Sequence, residues 1–178
     1  RYSVETQDAV GILDNNQFMG GIYSNTLVSD ILDGIMDGEG ITYFLDDAYA
    51  STTVSGYLPI CTKRAALQQL AFAIGALVDT SYDRQLYIYP QQTEVTGEFT
   101  TRDIFLGLTL EHSDIITGIR LYAHSYTTGT ESAQLYKGSF TGTTKVEFSE
   151  PYHGLSITGG TLGDHGANYA YITGTGGE

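Results

Sequence analysis

The stretch GYLPICTKRAALQQLAFAIGALVD, residues 56–79, decides the fold of this chain. Apolar side chains recur in it at i, i+3, i+4 and i+7, which predicts an amphipathic helix over residues 63–78. Thr62 is a natural N-cap for that helix, because the segment around Pro59 is extended. Residues 76–79, at the end of the stretch, and residues 85–89 also predict the two strands of a β-hairpin. The helix stripe comprises Leu67, Leu70, Ala71, Ile74, Leu77 and Val78.

A first helix with the same pattern is predicted to begin at Thr26. Asn25 or Thr26 can cap its start, and Gly38 and Gly40 can end it in the left-handed conformation. Strand-like sequence follows at residues 41–45 and 52–58, so residues 25–90 alternate one helix with two strands, twice. The apolar face of this helix comprises Leu27, Val28, Ile31, Leu32, Ile35 and Met36, and its polar face comprises Asp30, Asp33 and Asp37.

The character of the sequence changes at about Thr93. Helical periodicity disappears, and Thr, Gly and Tyr become frequent. Short strands separated by Gly- and Thr-rich turns are typical of a small barrel or sandwich. Residues 163–166 are expected to form a polar loop. Strands are predicted at residues 115–126, 134–137, 145–148, 155–158 and 169–173.

The fold class indicated is therefore α+β with two parts. Residues 1–92 form an α/β part with two amphipathic helices and β-hairpins, and residues 93–178 form a mainly antiparallel β barrel or sandwich. Residues 2–23 resemble strands, and residues 1–23 can pair with the C-terminal sheet, which would make the helical part an insertion. Because the chain lacks an initial Met and ends Gly-Thr-Gly-Gly-Glu, we expect it to be a piece of a longer protein.

Charge excludes several classes of function. The 178 residues carry 8 Lys and Arg against 21 Asp and Glu, a net charge of −13. So few basic residues argue against binding to nucleic acid or to an anionic membrane surface. The sequence contains no run of 18 apolar residues, so it predicts no membrane-spanning helix. Residues 2–62 hold nine acids and neither Lys nor Arg, which indicates an acidic, solvated surface around the first helix.

No pattern in the sequence singles out a catalytic or metal site. Asp33, Asp37 and Glu39 offer oxygen ligands of the kind calcium prefers, but their spacing does not match an EF-hand loop. The histidines, at positions 112, 124, 153 and 165, lack the spacing of a metal pair. Cys61 is alone and fits a small buried side chain. We therefore expect no enzymatic activity, no metal and no cofactor, although a pair of glycosidase carboxylates cannot be recognised among 21 acids.

Residues 56–79, closed by the alternating strand at residues 86–90, resemble a segment common in bacteriophage tail hub and baseplate proteins. The resemblance lies in the capped R-x-A-L-Q-x-L-A helix, here residues 64–71, and in the hairpin after it. Residues 18–23 and 115–126 are also in keeping with such proteins. The resemblance implies a non-catalytic structural module of a phage or prophage virion. Its expected partners are further copies of itself or other tail proteins.

The 14 tyrosines support an alternative, a binding module for a surface glycan or a protein. Tyrosine combines a large apolar ring with a polar tip, which suits half-exposed strand positions and interfaces. A domain of a bacterial surface protein with no ligand of its own is a third interpretation. The candidate binding residues are Tyr122, Tyr126, Tyr152, Tyr169 and Tyr171.

Overall fold

A computed structural model describes residues 7–82, 85–94, 97, 118, 120 and 122–174 and confirms an α+β chain. Within that part, three α-helices accompany several small sheets, most of them antiparallel. None of the described helices has both the length and the apolar character needed to cross a membrane. The elements are α1 (Ala9–Ile12), β1 (Gln17–Phe18), β2 (Gly21–Leu27), α2 (Val28–Met36), β3 (Thr42–Leu45), a 3-10 turn (Asp47–Tyr49), β4 (Thr53–Leu58), β5 (Cys61–Thr62), α3 (Lys63–Ile74), β6 (Ala76–Tyr82), β7 (Gln85–Pro90), β8 (Gly142–Glu147), β9 (Gly160–His165) and β10 (Tyr169–Gly174).

Helix α3 begins where the sequence predicts and ends earlier. The Thr62 side chain accepts a hydrogen bond from the Ala65 backbone N–H at 3.2 Å, which confirms the N-cap. The helix stops at Ile74 rather than at residue 78, because Gly75 adopts the left-handed conformation with φ of 68°. This residue turns the chain directly into β6.

Helix α2 begins two residues later than predicted. Thr26 and Leu27 belong to β2, where they pair with β4, and the helix therefore starts at Val28. Its N-cap is Leu27, which makes no side-chain capping bond, so the prediction of a cap at Asn25 or Thr26 is wrong. The prediction that left-handed glycines follow the helix is confirmed, since Gly38 and Gly40 come after Met36 with left-handed φ.

The main core lies between helices α2 and α3 and the sheet of strand order β3-β7-β6. The predicted hairpin of β6 and β7 is confirmed, with Val78 opposite Ile88. Strand β3 joins the other edge of β7 in parallel, a pairing that the sequence did not predict. Each fully buried side chain here contributes about 1.5–3 kcal/mol. The most buried members are Val28, Leu32, Ile35, Leu67, Leu86 and Ile88.

The N-terminal segment pairs within the helical part of the chain. Strand β1 pairs with β5, and β2 pairs with β4. The described residues 7–23 therefore do not pair with the C-terminal sheet, contrary to the arrangement considered for residues 1–23. Residues 9–12 form helix α1, capped by Asp8, where the sequence suggested strand. The boundary between residues 92 and 93 stays a prediction.

Among its described residues, the C-terminal part contains one antiparallel sheet of order β8-β10-β9. Predicted strands at residues 145–148 and 169–173 correspond to β8 and β10. Residues 134–137, 155–158 and 122–126 are not strands; residues 115–117, 119 and 121 of the predicted long strand lie outside the described residues. The expected loop at residues 163–166 is largely strand β9, which pairs with β10 through a bulge despite its polar sequence. The described residues show no closed barrel.

A buried asparagine joins the C-terminal sheet to the N-terminal part. Asn168, in the turn between β9 and β10, is 1 % exposed. Its side-chain N–H groups donate to the carbonyl oxygens of Met19, at 3.0 Å, and Leu58, at 3.1 Å. Gly20 allows this approach, because it adopts φ of 61° at the point where these three segments of the chain meet. The turn therefore fastens the C-terminal sheet to β2 and β4.

An ion pair is enclosed beside the C-terminus of α2. Lys63 Nζ lies 2.7 Å from Glu39 Oε1, and the two side chains are only 10 % and 5 % exposed. The same ammonium donates to the Asp37 carbonyl, and the Asn16 amide donates to both oxygens of Glu39. The bond from Lys63 holds the pKa of Glu39 below its ordinary value. This cluster ties the start of α3 to the loops after α1 and α2.

Tyr43 is expected to ionise only in strong alkali. Its hydroxyl donates to Asp33 Oδ1 at 2.6 Å, and burial followed by this bond raises the pKa of Tyr43 to about 12. Because the raised pKa belongs to the folded state, its stabilising contribution is complete below the ordinary value of 10.0 and is lost as pH rises through 12. The absorbance titration of the protein minus that of Tyr43→Phe should have a midpoint near pH 12. A midpoint near pH 10 would contradict this assignment.

Candidate functional site

A cavity of about 1080 Å³ lies on one face of the C-terminal sheet. Two segments without regular structure, residues 128–136 and 151–157, form its walls. Many wall residues are exposed, so the cavity opens to solvent. Its volume lies just above the roughly 300–1,000 Å³ that small-molecule sites occupy. The floor comprises Val146, Phe148, Leu162, Ala170 and Ile172.

Strand alternation explains why the floor is apolar. Successive side chains of a strand point to opposite faces, so Ala170 and Ile172 point into the cavity and Tyr169 and Tyr171 point away. The opposite face carries Lys145, whose Nζ lies 2.8 Å from Glu147 Oε1 and near residues of the β1 region. One face of the sheet is therefore the floor of the cavity, and the other faces the N-terminal part.

Hydrogen bonds anchor the second wall and link it to the first. The N–H groups of Phe148 and Tyr152 donate to the carbonyls of Asn168 and Ala167, each at 2.8 Å, which anchors the second wall to the β9–β10 turn. At the rim, His153 Nε2 lies 3.2 Å from the carbonyl oxygen of Gly129 and links the two walls. The cavity is thus built on the same turn that carries the buried Asn168.

The cavity is poor in charge and rich in polar uncharged groups. Among the described residues that line it, Glu131 is the only carboxylate and no Lys or Arg is present. The ring of Phe148 meets that of Tyr152 edge to face, with centroids 5.9 Å apart. Hydroxyl and amide groups come from Thr128, Thr130, Ser132, Gln134, Tyr136, Tyr152 and Ser156.

The five tyrosines predicted as binding residues do not form one surface. Tyr152 alone lines the cavity. Tyr169 and Tyr171 pack edge to face on the opposite side of the sheet, and Tyr169 donates to Asp164 at 3.1 Å. Tyr126 packs edge to face against Tyr57, with ring centroids 5.5 Å apart. The fifth, Tyr122, is 71 % exposed outside any described strand.

A second candidate surface is the outer face of the β3-β7-β6 sheet, on the side away from the helices. Phe44 lies opposite Tyr87 in the strand register, and Leu77 lies opposite Tyr89. Phe44 and Leu77 are both about half exposed. We call these four side chains the outer sheet face. Large exposed apolar side chains gathered on one face mark an interaction surface, whereas scattered ones do not.

The acidic residues considered as calcium ligands do not converge. Asp33 accepts a hydrogen bond from Tyr43, and Glu39 is occupied by Lys63. Within the described part of the chain, no three His, Cys, Asp or Glu side chains are placed to hold a metal ion. Burial raises the pKa of the Cys61 thiol, which disfavours its reactive thiolate.

Neither the cavity nor the outer sheet face was predicted from the sequence, because each is formed by segments that are far apart along the chain. The cavity walls and floor come from three separate segments, and the outer sheet face depends on the parallel pairing of β3 with β7. Alternation at residues 169–172 was the available signal, because it separates two tyrosines from two apolar residues.

No family model, no curated protein and no solved structure matches this chain.

Proposed function

We propose that this chain is a non-catalytic structural module that assembles through the outer sheet face, as a tail-tip or hub-like piece of a phage or prophage virion. The observation that carries the proposal is the grouping of Phe44, Leu77, Tyr87 and Tyr89 on one exposed face. The resemblance of residues 56–79 to phage hub and baseplate proteins supports the virion setting. The module binds copies of itself or other tail proteins, and it neither binds nucleic acid nor enters a membrane.

The charge distribution supports contact at this face. The chain carries −13, so two copies repel each other wherever their acidic surfaces meet. The four residues of the outer sheet face are uncharged, and Asp79 lies beside them on β6. Contact between these four side chains therefore brings no charges of its own together, although Asp79 of each copy lies beside it. A second copy of the chain is the partner that we test.

The proposed β barrel or sandwich of residues 93–178 belongs to the same interpretation. The three-stranded sheet β8-β10-β9 supplies one layer of such an architecture. Its apolar floor residues Val146, Phe148 and Leu162 keep partial exposure.

Disrupting the outer sheet face should abolish association. Leu77→Asp places a charge in the contact, and we expect it to weaken self-association at least about tenfold, because truncating an interface anchor costs more than about 1.4 kcal/mol. Sedimentation velocity over a concentration series measures this effect. Phe72→Asp is the matched control, since Phe72 is 76 % exposed on α3, on the helix side.

Two outcomes of the sedimentation experiment would contradict the proposal. A wild-type chain that stays monomeric at all concentrations would overturn self-assembly through this face. Equal weakening by Leu77→Asp and Phe72→Asp would also overturn it. Circular dichroism establishes that each variant keeps its fold.

The cavity favours a second candidate function, a binding module for a surface glycan or a protein. Its specific support is a solvent-open volume of about 1080 Å³ with an apolar floor and polar walls. Concave sites of this composition commonly hold ligands. This function is compatible with assembly, because the cavity and the outer sheet face lie on different sheets.

A further inference from the structure

We infer that the cavity binds a neutral oligosaccharide, held over Phe148 and Tyr152 by the hydroxyl and amide groups of its walls. The inference deepens the second candidate function and rests on it. Three properties of the cavity indicate this ligand class: its charge, its pair of aromatic rings and its polar groups.

Charge excludes anionic ligands. No Lys or Arg stands among the described lining residues, and Glu131 adds a negative charge at the rim. The whole chain carries −13, so its field repels phosphates, sulfated sugars and sialylated sugars. A neutral ligand meets no such penalty.

The aromatic pair suits the apolar face of a sugar ring. Phe148 and Tyr152 stand edge to face, with centroids 5.9 Å apart, and both line the cavity. Each is only partly buried, so part of each ring stays available to a ligand. Aromatic side chains supply large contact area for little loss of conformational entropy. The C–H face of a pyranose can cover this surface without stranding a polar group.

The walls match the polar edge of the same ligand. Hydroxyl groups both donate and accept hydrogen bonds, and a side-chain amide does the same with separate atoms. Thr128, Thr130, Ser132, Gln134 and Ser156 bring such groups to the cavity. A lipid chain would leave them without partners, which is costly. A polyhydroxylated ligand satisfies them, and its volume can exceed one ring in a cavity of about 1080 Å³.

Saturation-transfer NMR with defined sugars tests the inference. The probes are neutral hexasaccharides of glucose, mannose and N-acetylglucosamine, with sialyllactose and a heparin hexasaccharide as anionic comparisons. We expect at least one neutral probe to bind and both anionic probes to fail. Tyr152→Ala should weaken binding about tenfold or more, and Tyr152→Phe, which keeps the ring, should lose less.

Tyr171→Ala is the matched control, because Tyr171 is also partly buried but lies on the opposite face of the sheet. Equal losses in Tyr152→Ala and Tyr171→Ala would overturn the site. Binding of anionic but not neutral probes, or of a peptide library alone, would overturn the ligand class, and no binding by any probe at millimolar concentration would overturn the inference. Leu77→Asp changes the outer sheet face and leaves the cavity lining intact, so this variant should bind the neutral probe as the wild type does. Sugar binding and self-association are therefore tested separately, and failure to bind sugar leaves the association result unchanged.

Discussion

Replacing Lys63 with methionine is expected to lower the free energy of unfolding by about 3–5 kcal/mol, because it leaves the enclosed Glu39 carboxylate without its counter-charge. The ammonium also donates to the Asp37 carbonyl, and that acceptor loses its partner as well. Urea unfolding followed by circular dichroism measures the change. The double variant Lys63→Met/Glu39→Met should recover most of the loss, since it removes both charges.

The exposed pair of Arg64 and Asp14 is the matched control. Its atoms are 2.8 Å apart, against 2.7 Å in the enclosed pair, but the side chains are 41 % and 45 % exposed. Arg64→Met should therefore cost only about 0–1 kcal/mol. Losses of similar size in Lys63→Met and Arg64→Met would contradict the enclosed pair.

The enclosed pair also sets an acid limit on stability. Because the folded-state pKa of Glu39 is lowered, its stabilising contribution is present above the ordinary glutamate pKa and is lost as pH falls through the lowered value. Lys63→Met removes the main cause of that shift. The variant should therefore lose less stability on acidification than the wild type does.

Gly20→Ala is the second large effect, with an expected loss of about 2–5 kcal/mol. A Cβ at this position would lie 2.2 Å from the Leu58 carbonyl oxygen and 2.6 Å from that of Pro59. It would also lie 2.8 Å from the Asn168 amide nitrogen, so the joint to the C-terminal sheet must shift. The left-handed backbone adds roughly 1–2 kcal/mol, and the overpacking adds about 1–3 kcal/mol.

Gly40→Ala isolates the steric part of that loss. Gly40 has nearly the same φ, 64° against 61°, but no atom lies within 4 Å of a Cβ placed there. Its expected cost is therefore the backbone term alone, roughly 1–2 kcal/mol. Equal costs at Gly20 and Gly40 in urea unfolding would show that the close approach to Leu58 does not occur.

Local patterns predicted helices α2 and α3 and misplaced one end of each. The apolar stripe and the Thr62 cap define α3, and both are properties of neighbouring residues. Its end depended on whether Gly75 or residue 78 stops the helix, and the strand character of residues 76–79 prevailed. The start of α2 was missed because Thr26 and Leu27 pair with β4, which lies more than 25 residues away in sequence.

Contacts between distant segments could not be read from the sequence. The parallel pairing of Phe44 with Tyr87, and hence the outer sheet face, joins residues 43 positions apart. Glu39 is one of nine acids before residue 63, and nothing in its neighbourhood marks it as the partner of Lys63. Among the tyrosines, composition identified the residue type, but strand register places Tyr171 behind the sheet and the irregular segment 151–157 brings Tyr152 to the cavity.

Hydroxyl-radical footprinting of the protein at low and high concentration tests the assembly proposal most directly. Phe44 and Phe72 are both exposed in the single chain, on opposite sides of the helix-and-sheet body. We expect the oxidation of Phe44 and Leu77 to fall on association and that of Phe72 to stay unchanged. Constant oxidation of Phe44 and Leu77 in a chain that does associate would contradict it.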